Sequence, residues 1–162
     1  METDALVDPY LIRALDMTPR LAEKELLRSA GDFDVRPNPN RFSMREVVAH
    51  LADWEPIMLT RIQTGVDSPG ATINAYDEGQ MALDHHYEAS DPLERLRAWK
   101  GDRAKSIEYI SKLTDDDFAK PVVHPERGRM TVGDIAHMLV SHDIYHLEQL
   151  AEMTGEKTVD TW

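Results

Sequence analysis

Residues 137–150 read HMLVSHDIYHLEQL and contain two histidines four positions apart, His142 and His146. Residues at i and i+4 lie on the same face of an α-helix, so both imidazoles can reach one metal ion. At 100° per residue, the two histidines fall within an apolar arc of about 80° that should face a protein core. Gln149 lies at the edge of that arc, close enough to be a hydrogen-bond partner. The stretch therefore predicts an amphipathic helix that carries two metal ligands on its buried stripe.

A third histidine, His50, lies in a second segment with helical periodicity. It shares a face of about 100° with Val47, Trp54, Ile57 and Met58. Each unsatisfied buried imidazole would cost about 1–3 kcal/mol, and one shared metal would satisfy all three rings. Alternatively, each histidine donates to a nearby carbonyl or flanks a partly solvated groove. We favour a three-nitrogen metal site that leaves positions open for water or substrate.

Four segments have helical periodicity and predict an all-α four-helix bundle. They span about residues 9–29, 43–64, 91–113 and 131–154. Each is long enough for about 30 Å of helix, which is the proportion of such a bundle. Pro19 should kink or split the first helix, and Gly65 should end the second. Ser43-Met44-Arg45-Glu46 predicts a capping box at the start of the second helix, and Thr131 with Asp134 predicts a weaker one at the fourth.

The long connection between the second and third helices covers residues 65–90. A structureless loop of that size is uncommon, so we expect a lid or a short helix, with residues 78–87 as its helical part. Strand signals are nearly absent. Only residues 121–124 are expected to be extended, and they are too short to found a sheet.

Composition limits the classes of function. The 162 residues fit a single domain over residues 1–162 with a buried core. The 30 acidic and 18 basic residues give a net charge of −12, which disfavours nucleic-acid and membrane partners. The absence of cysteine excludes disulfides, thiolate metal ligands and a cysteine nucleophile. No signal peptide or transmembrane stretch is evident, so we expect a cytoplasmic protein.

The other four histidines are weaker candidates for the site. His137 lies about 140° from His142 around the helix, which favours a surface or packing role. His85 and His86 fall in the long connection, and His124 falls in the loop before the last helix. We expect these three to be solvated loop residues.

Four further side chains lie near the two motifs. Asp53 and Glu55 point about 60° and 140° away from the face of the second-helix histidine, so surface solvation is expected for both. Tyr145 lies about 60° from His142 and could reach the site or simply pack. Arg61 falls on the histidine face and could hold a substrate carboxylate, although a helix-end arginine is more often solvated. None of the four is assigned a role.

Two stretches resemble the helices of a known family. Residues 42–55 resemble the second helix of the DinB/YfiT-like superfamily, and residues 137–150 resemble its last helix. The resemblance covers essentially the whole chain in helix order and spacing. It implies a four-helix bundle, often dimeric, whose divalent metal is bound by His50, His142 and His146. A homodimer is therefore expected.

The resemblance also implies a range of activities. Members of known activity include S-transferases and isomerases that use low-molecular-weight thiols such as bacillithiol or mycothiol, while many others are described only as metal-dependent hydrolases. Three neutral nitrogen ligands leave a divalent ion its charge, so it can activate a thiol or a water. We expect a metal-dependent enzyme on a small molecule, with thiol-dependent S-transfer preferred. The alternatives are a hydrolase, a non-catalytic metal- or ligand-binding bundle, and a structural bundle. Zinc or nickel is the preferred metal, and iron, cobalt or manganese also fit.

Overall fold

Four long helices dominate the fold in a computed structural model, which describes residues 8–155. In chain order the elements are α1 (Pro9–Arg28), α2 (Met44–Asp67), α3 (Glu78–Asp84), a 3-10 helix (Tyr87–Ala89), α4 (Pro92–Ile110), α5 (Asp115–Ala119), β1 (Pro121–His124), β2 (Gly128–Thr131) and α6 (Val132–Met153). Helices α1 and α2 each pack against both α4 and α6. The predicted four-helix bundle is confirmed. No helix within the described range is long and apolar enough to span a membrane.

Side-chain caps fix where the two histidine-bearing helices begin. The Ser43 hydroxyl accepts a hydrogen bond from the amide of Glu46 over 3.3 Å at the start of α2. The Glu46 carboxylate binds Arg36 instead of returning to the helix end, so only half of the predicted capping box forms. At the start of α6, Thr131 and Asp134 form the full reciprocal box.

Two helix breaks predicted from the sequence do not occur, because Pro19 does not split α1 and Gly65 does not end α2. Helix α1 continues through Pro19 as one element, and α2 continues two residues beyond Gly65. A Cβ atom at Gly65 would lie 2.4 Å from a methyl carbon of Val122 and 2.6 Å from one of Val132. The glycine therefore does not end the helix, but allows β1 and the start of α6 to approach its backbone.

The predicted extended segment pairs with a strand that the sequence pattern did not reveal. Strands β1 and β2 form an antiparallel pair in which Val122 is opposite Met130. Gly128, with a φ of 76°, begins β2 in the left-handed region. Thr72 adds an isolated parallel bridge to Val123. The hairpin therefore anchors the long connection to the segment that leads into α6.

The long connection contains the short helix that was predicted. Residues 78–84 form α3, and the 3-10 helix follows it. Ile73 and Tyr87 are buried and attach the connection to the bundle. The Arg45 guanidinium also donates to the backbone carbonyl of Ser90 over 2.7 Å. A lid function for this segment stays a prediction.

The core consists of two apolar clusters with a polar layer between them. One cluster includes Leu11, Leu15, Met58, Ile62, Ile110, Ile135 and Leu139. The other includes Ala22, Leu26, Val48, Leu51, Leu96, Trp99 and Leu150. Each long helix contributes residues to both clusters and has a buried polar residue near the boundary between its two apolar parts. These four residues are Thr18, Glu55, Arg103 and Asp143. We refer to these four residues as the polar layer.

Candidate metal centre

Three histidine side chains from two helices converge on one point. The Nε2 atoms of His50 and His142 are 2.9 Å apart, and those of His142 and His146 are 3.1 Å apart. The candidate ligand atoms of the three residues all lie within 4.8 Å of one another. The prediction that these histidines share one location is therefore confirmed, and we refer to them as the histidine cluster.

Helix packing and aromatic contacts hold the cluster in place. His142 and His146 lie one turn apart on α6, and α2 packs against that helix and presents His50. The His50 ring is 1% exposed and stacks on Trp54, with ring centroids 5.6 Å apart. Phe42 contacts the same ring, at 5.7 Å between centroids. These contacts limit rotation of the imidazole and direct its Nε2 atom toward α6.

Burial keeps all three rings uncharged. Burial, together with the neighbouring imidazoles, lowers the pKa of His50 to about 3 and that of His142 to about 2. Burial also lowers the pKa of His146 to about 4, although the contact with Gln149 opposes this shift. At neutral pH each ring is therefore a neutral imidazole with one lone pair available for a ligand.

The three rings cannot satisfy one another by hydrogen bonding alone. A neutral imidazole nitrogen either donates one hydrogen or accepts with one lone pair. The Nε2 atom of His142 lies within hydrogen-bond distance of both neighbours, but it can complete only one of these bonds. Its Nδ1 atom is buried and has no partner among the described residues. A cation that accepts three lone pairs fits this set of donors.

Gln149 determines which nitrogen of His146 carries the hydrogen. Its amide oxygen lies 2.7 Å from Nδ1 of His146, so Nδ1 donates and the Nε2 lone pair faces the cluster. The reversed amide would instead accept from Arg41, at 3.1 Å from its Nε atom, and would donate to Nδ1. That orientation would place the hydrogen on Nε2. Metal coordination therefore requires the first orientation.

A pocket of about 380 Å³ lies against the cluster and is lined by His142. Its walls also include Trp54, Arg61, Tyr76 and His124. His124 is 7% exposed, so its predicted solvation is wrong, and Arg61 is 5% exposed, which excludes the solvated alternative that was left open for it. Alternate residues of β1 point inward, and this alternation carries His124 into the interior beside Val122.

Comparison with known proteins assigns the family. The sequence model of the DinB superfamily matches residues 11–150. The chain belongs to the DinB superfamily. "Putative metal-dependent hydrolase OB0782" from Oceanobacillus iheyensis is 21% identical over 157 residues, which cover 96% of this chain and 90% of the relative. "Putative metal-dependent hydrolase YfiT" from Bacillus subtilis is 21% identical over 145 residues, which cover 88% and 82%.

A solved structure has the same fold. YfiT from Bacillus subtilis, described as "a probable metal-dependent hydrolase with an unusual four-helix bundle topology", superposes with a TM-score of 0.80. The two proteins are 19% identical, and the match covers 97% of this chain and 95% of YfiT. At this identity the likeness establishes the DinB-type fold.

The polar layer of this DinB-type bundle is organised by one arginine. Arg103 donates from Nε and Nη2 to the two carboxylate oxygens of Glu55, over 2.7 and 2.6 Å. Its Nη1 atom donates to Asp143 over 2.8 Å, and the Thr18 hydroxyl donates to the same oxygen over 2.5 Å. Trp99 donates to Glu55 as well. Each long helix is thus connected to the others through buried, charge-assisted hydrogen bonds.

The prediction that Glu55 is solvated is wrong, because its side chain is 1% exposed and paired with Arg103. Sequence reasoning also missed Arg103, although a signal for it exists. Trp99, Arg103, Ser106 and Ile110 follow the i, i+4, i+7, i+11 spacing of one helix face, and all four are buried. A charged residue on an apolar stripe requires a buried partner of opposite charge.

The remaining candidate residues are not members of the cluster. Asp53 is partly buried, rather than solvated as predicted, because it binds His85 over 2.5 Å and also Arg95. His137 is exposed and contacts the backbone carbonyl of Gly133 in its own helix, which agrees with the surface alternative of its predicted surface or packing role. Tyr145 is about half exposed, lines the pocket and contacts Arg41, so it reaches the site without joining the cluster.

Proposed function

We propose that this protein is a metal-dependent enzyme that acts on a small molecule. Its divalent metal would be bound by Nε2 atoms of His50, His142 and His146. The observation that carries the proposal is the convergence of three neutral imidazole nitrogens beside a pocket of about 380 Å³. The curated relatives named as metal-dependent hydrolases support it.

Such a metal, when bound, supplies Lewis acidity that lowers the pKa of a water or thiol ligand toward neutrality. The chain contributes the setting for this chemistry. Three neutral rings leave the charge of a divalent ion uncompensated, and burial keeps them neutral at physiological pH. Trp54 contacts both His50 and His142 and shields one side of the cluster from water. With its amide oxygen turned toward Nδ1, Gln149 would keep His146 in the tautomer that presents its Nε2 lone pair to the metal.

Of the two candidate nucleophiles, we favour water, because the curated relatives share the name of hydrolase. The thiol-dependent S-transfer that the family resemblance suggested stays a prediction. The chain has no cysteine, so any reacting thiol would come from a second small molecule. Zinc and nickel fit three imidazole ligands, and iron, cobalt or manganese remain alternatives. The homodimer also stays a prediction.

The proposal can be tested by comparing two reactions of metal-loaded protein. Hydrolysis is followed with p-nitrophenyl acetate, and transfer is followed with 1-chloro-2,4-dinitrobenzene and bacillithiol. We expect turnover of the ester that is abolished by a chelator and by His142→Ala. Transfer that depends on both metal and thiol, without ester hydrolysis, would instead favour the S-transferase. Failure of the protein to bind a divalent metal would overturn both functions.

A further inference from the structure

Arg61 is a buried cation that forms no salt bridge with another residue of 8–155, although Glu78 and Glu126 act on its charge from the same pocket. Its side chain is 5% exposed. Nη2 donates to the backbone carbonyl of Asn74 over 2.7 Å, and Nη1 contacts the Met58 sulfur at 3.7 Å. Nε is buried and has no partner among the same residues. A guanidinium has five N–H donors, so several remain without a protein acceptor.

Two aromatic rings hold the guanidinium in place. The Arg61 Cζ atom lies 5.1 Å from the ring centroid of Trp54 and 5.6 Å from that of Tyr76. Cation–π contacts of this kind offset part of the cost of burying a charge, but they supply no hydrogen-bond acceptor. Arg61, Trp54 and Tyr76 all line the pocket next to His142. The cation therefore lies on the wall of the pocket where a substrate would bind.

His124 adds a second donor to the same pocket. Its Nδ1 atom accepts a hydrogen bond from the backbone amide of Glu126 over 3.2 Å. The hydrogen of the neutral ring must then lie on Nε2, for which no acceptor is found within residues 8–155. Burial and the nearby Arg61 lower the pKa of His124, which keeps the ring neutral. The pocket thus presents a fixed cation and a fixed neutral donor.

We propose that Arg61 and His124 form a subsite that binds a carboxylate group of the substrate beside the histidine cluster. Its role in substrate selection rests on the proposed enzymatic function, although the binding itself does not. Planar guanidinium donors match the two oxygens of a carboxylate. The pocket also contains Glu78 and Glu126, which oppose the charges of Arg61 and Arg127. This balance favours a monoanion over a doubly charged phosphate ester.

The chemistry of the walls indicates the rest of the ligand. Trp54 and Tyr76 contribute aromatic surface to the pocket lining, and Met138 adds an apolar contact. A ligand with a flat apolar body and one carboxylate fits such a pocket. Benzoate is therefore a suitable probe, benzamide is its uncharged counterpart, and phenyl phosphate is its doubly charged counterpart.

The test is calorimetric titration of metal-free protein with these three probes at neutral pH. Because charge-assisted hydrogen bonds are stronger than neutral ones, we expect benzoate to bind at least about tenfold more tightly than benzamide. We also expect it to bind more tightly than phenyl phosphate. Arg61→Gln should weaken benzoate binding about tenfold or more. Arg129→Gln removes an exposed charge from the same hairpin, outside the pocket lining, and should change it by about twofold at most. Circular dichroism confirms that each variant is folded.

Equal binding of benzoate and benzamide by the wild-type protein would overturn the proposal, whether or not Arg61→Gln folds. Unchanged benzoate affinity in folded Arg61→Gln would overturn it as well. Tighter binding of phenyl phosphate would show that the subsite takes a different class of anion. If benzoate bound only to the metal-loaded protein, and with the same affinity in Arg61→Gln, the subsite would be excluded but the proposed function would stand. Conversely, Arg61-dependent binding by a protein that takes up no metal would retain the subsite and exclude the metalloenzyme.

Discussion

Arg103 donates a hydrogen bond to Asp143 over 2.8 Å, and Asp143 directly follows the cluster histidine His142 on α6. The same guanidinium binds Glu55 on α2, five residues after His50. One buried arginine on α4 is thus connected to both helices that supply the histidine cluster. We infer that the polar layer fixes the lengthwise register of α2 and α6, and through it the distance between their histidines.

Replacement of Arg103 by methionine should strongly destabilise the protein. It would leave Glu55 and Asp143 buried without their cation, and loss of one partner of a buried ion pair costs about 3–5 kcal/mol. Urea denaturation followed by circular dichroism measures the effect. Lys105→Met, which removes an exposed ion pair on the same helix, is the control and should change the free energy of unfolding by less than about 1 kcal/mol. Equal effects of the two variants would show that the layer is not structural.

The metal-free protein should lose stability as the pH falls below about 6.5. The pKa values of His50, His142 and His146 in the folded protein, about 3, 2 and 4, all lie below the ordinary histidine value of 6.5. The unfolded chain therefore binds more protons than the folded protein below about pH 6.5, and acid favours unfolding until the pH reaches the folded pKa of each ring, about 4 for His146 and lower for the other two. The loss between pH 6.5 and pH 5 is at most about 2 kcal/mol per histidine.

This pH dependence is measured as the urea midpoint of chelator-treated protein at several pH values. His142→Gln should show a smaller loss of stability between pH 6.5 and pH 5 than the wild-type protein, because it lacks one of the three groups. His86→Gln, which replaces an exposed histidine, should retain the full loss. If His142→Gln and the wild-type protein lost the same stability, the buried cluster would not be the source of the pH dependence.

Gln149→Leu should weaken metal binding about 10- to 100-fold, because it removes the acceptor that orients His146. Competition with a chelator gives the zinc affinity of each variant. Glu148→Leu, at the neighbouring exposed position, provides the matched control and should leave the affinity unchanged. An unchanged zinc affinity in Gln149→Leu would mean that the Gln149 amide oxygen of the wild-type protein accepts hydrogen bonds from Arg41 and not from His146.

Two glycine substitutions should have opposite effects on stability. Gly65→Ala places a methyl group against Val122 and Val132, and overpacking of this kind costs about 1–3 kcal/mol. Gly101→Ala in α4 meets no atom within 4 Å and should stabilise the helix by up to about 1 kcal/mol. Thermal unfolding of both variants tests the pair. Stabilisation by Gly65→Ala would show that the hairpin can move away from α2 at little cost.

The histidine cluster could be predicted because it depends on local periodicity. His142 and His146 share one helix face, and His50 lies on the apolar stripe of another, so the bundle topology brings them together. Glu55 could not be placed in this way, because α2 packs against α4 as well as α6 and is buried on more than one face. A residue turned away from the His50 face therefore meets a second helix rather than solvent.

The errors at Gly65 and β2 have a different physical origin. A glycine that ends a helix and one that admits a close neighbour look alike in sequence, and only the approach of Val122 distinguishes them. Likewise, residues 128–131 have no strand pattern of their own, and their extended form depends on pairing with β1. The close approach at Gly65 and the extended form of β2 both depend on contacts between segments. These contacts cannot be predicted from the periodicity of one segment.

Elemental analysis of the purified, untagged protein tests most directly whether the histidine cluster binds a divalent metal. The wild-type protein is compared with a His142→Ala, His146→Ala double variant whose helical content is checked by circular dichroism. We predict about one divalent metal ion per chain in the wild-type protein and none in the folded double variant. A wild-type protein that holds no metal, even after incubation with zinc, nickel or manganese, would contradict the account.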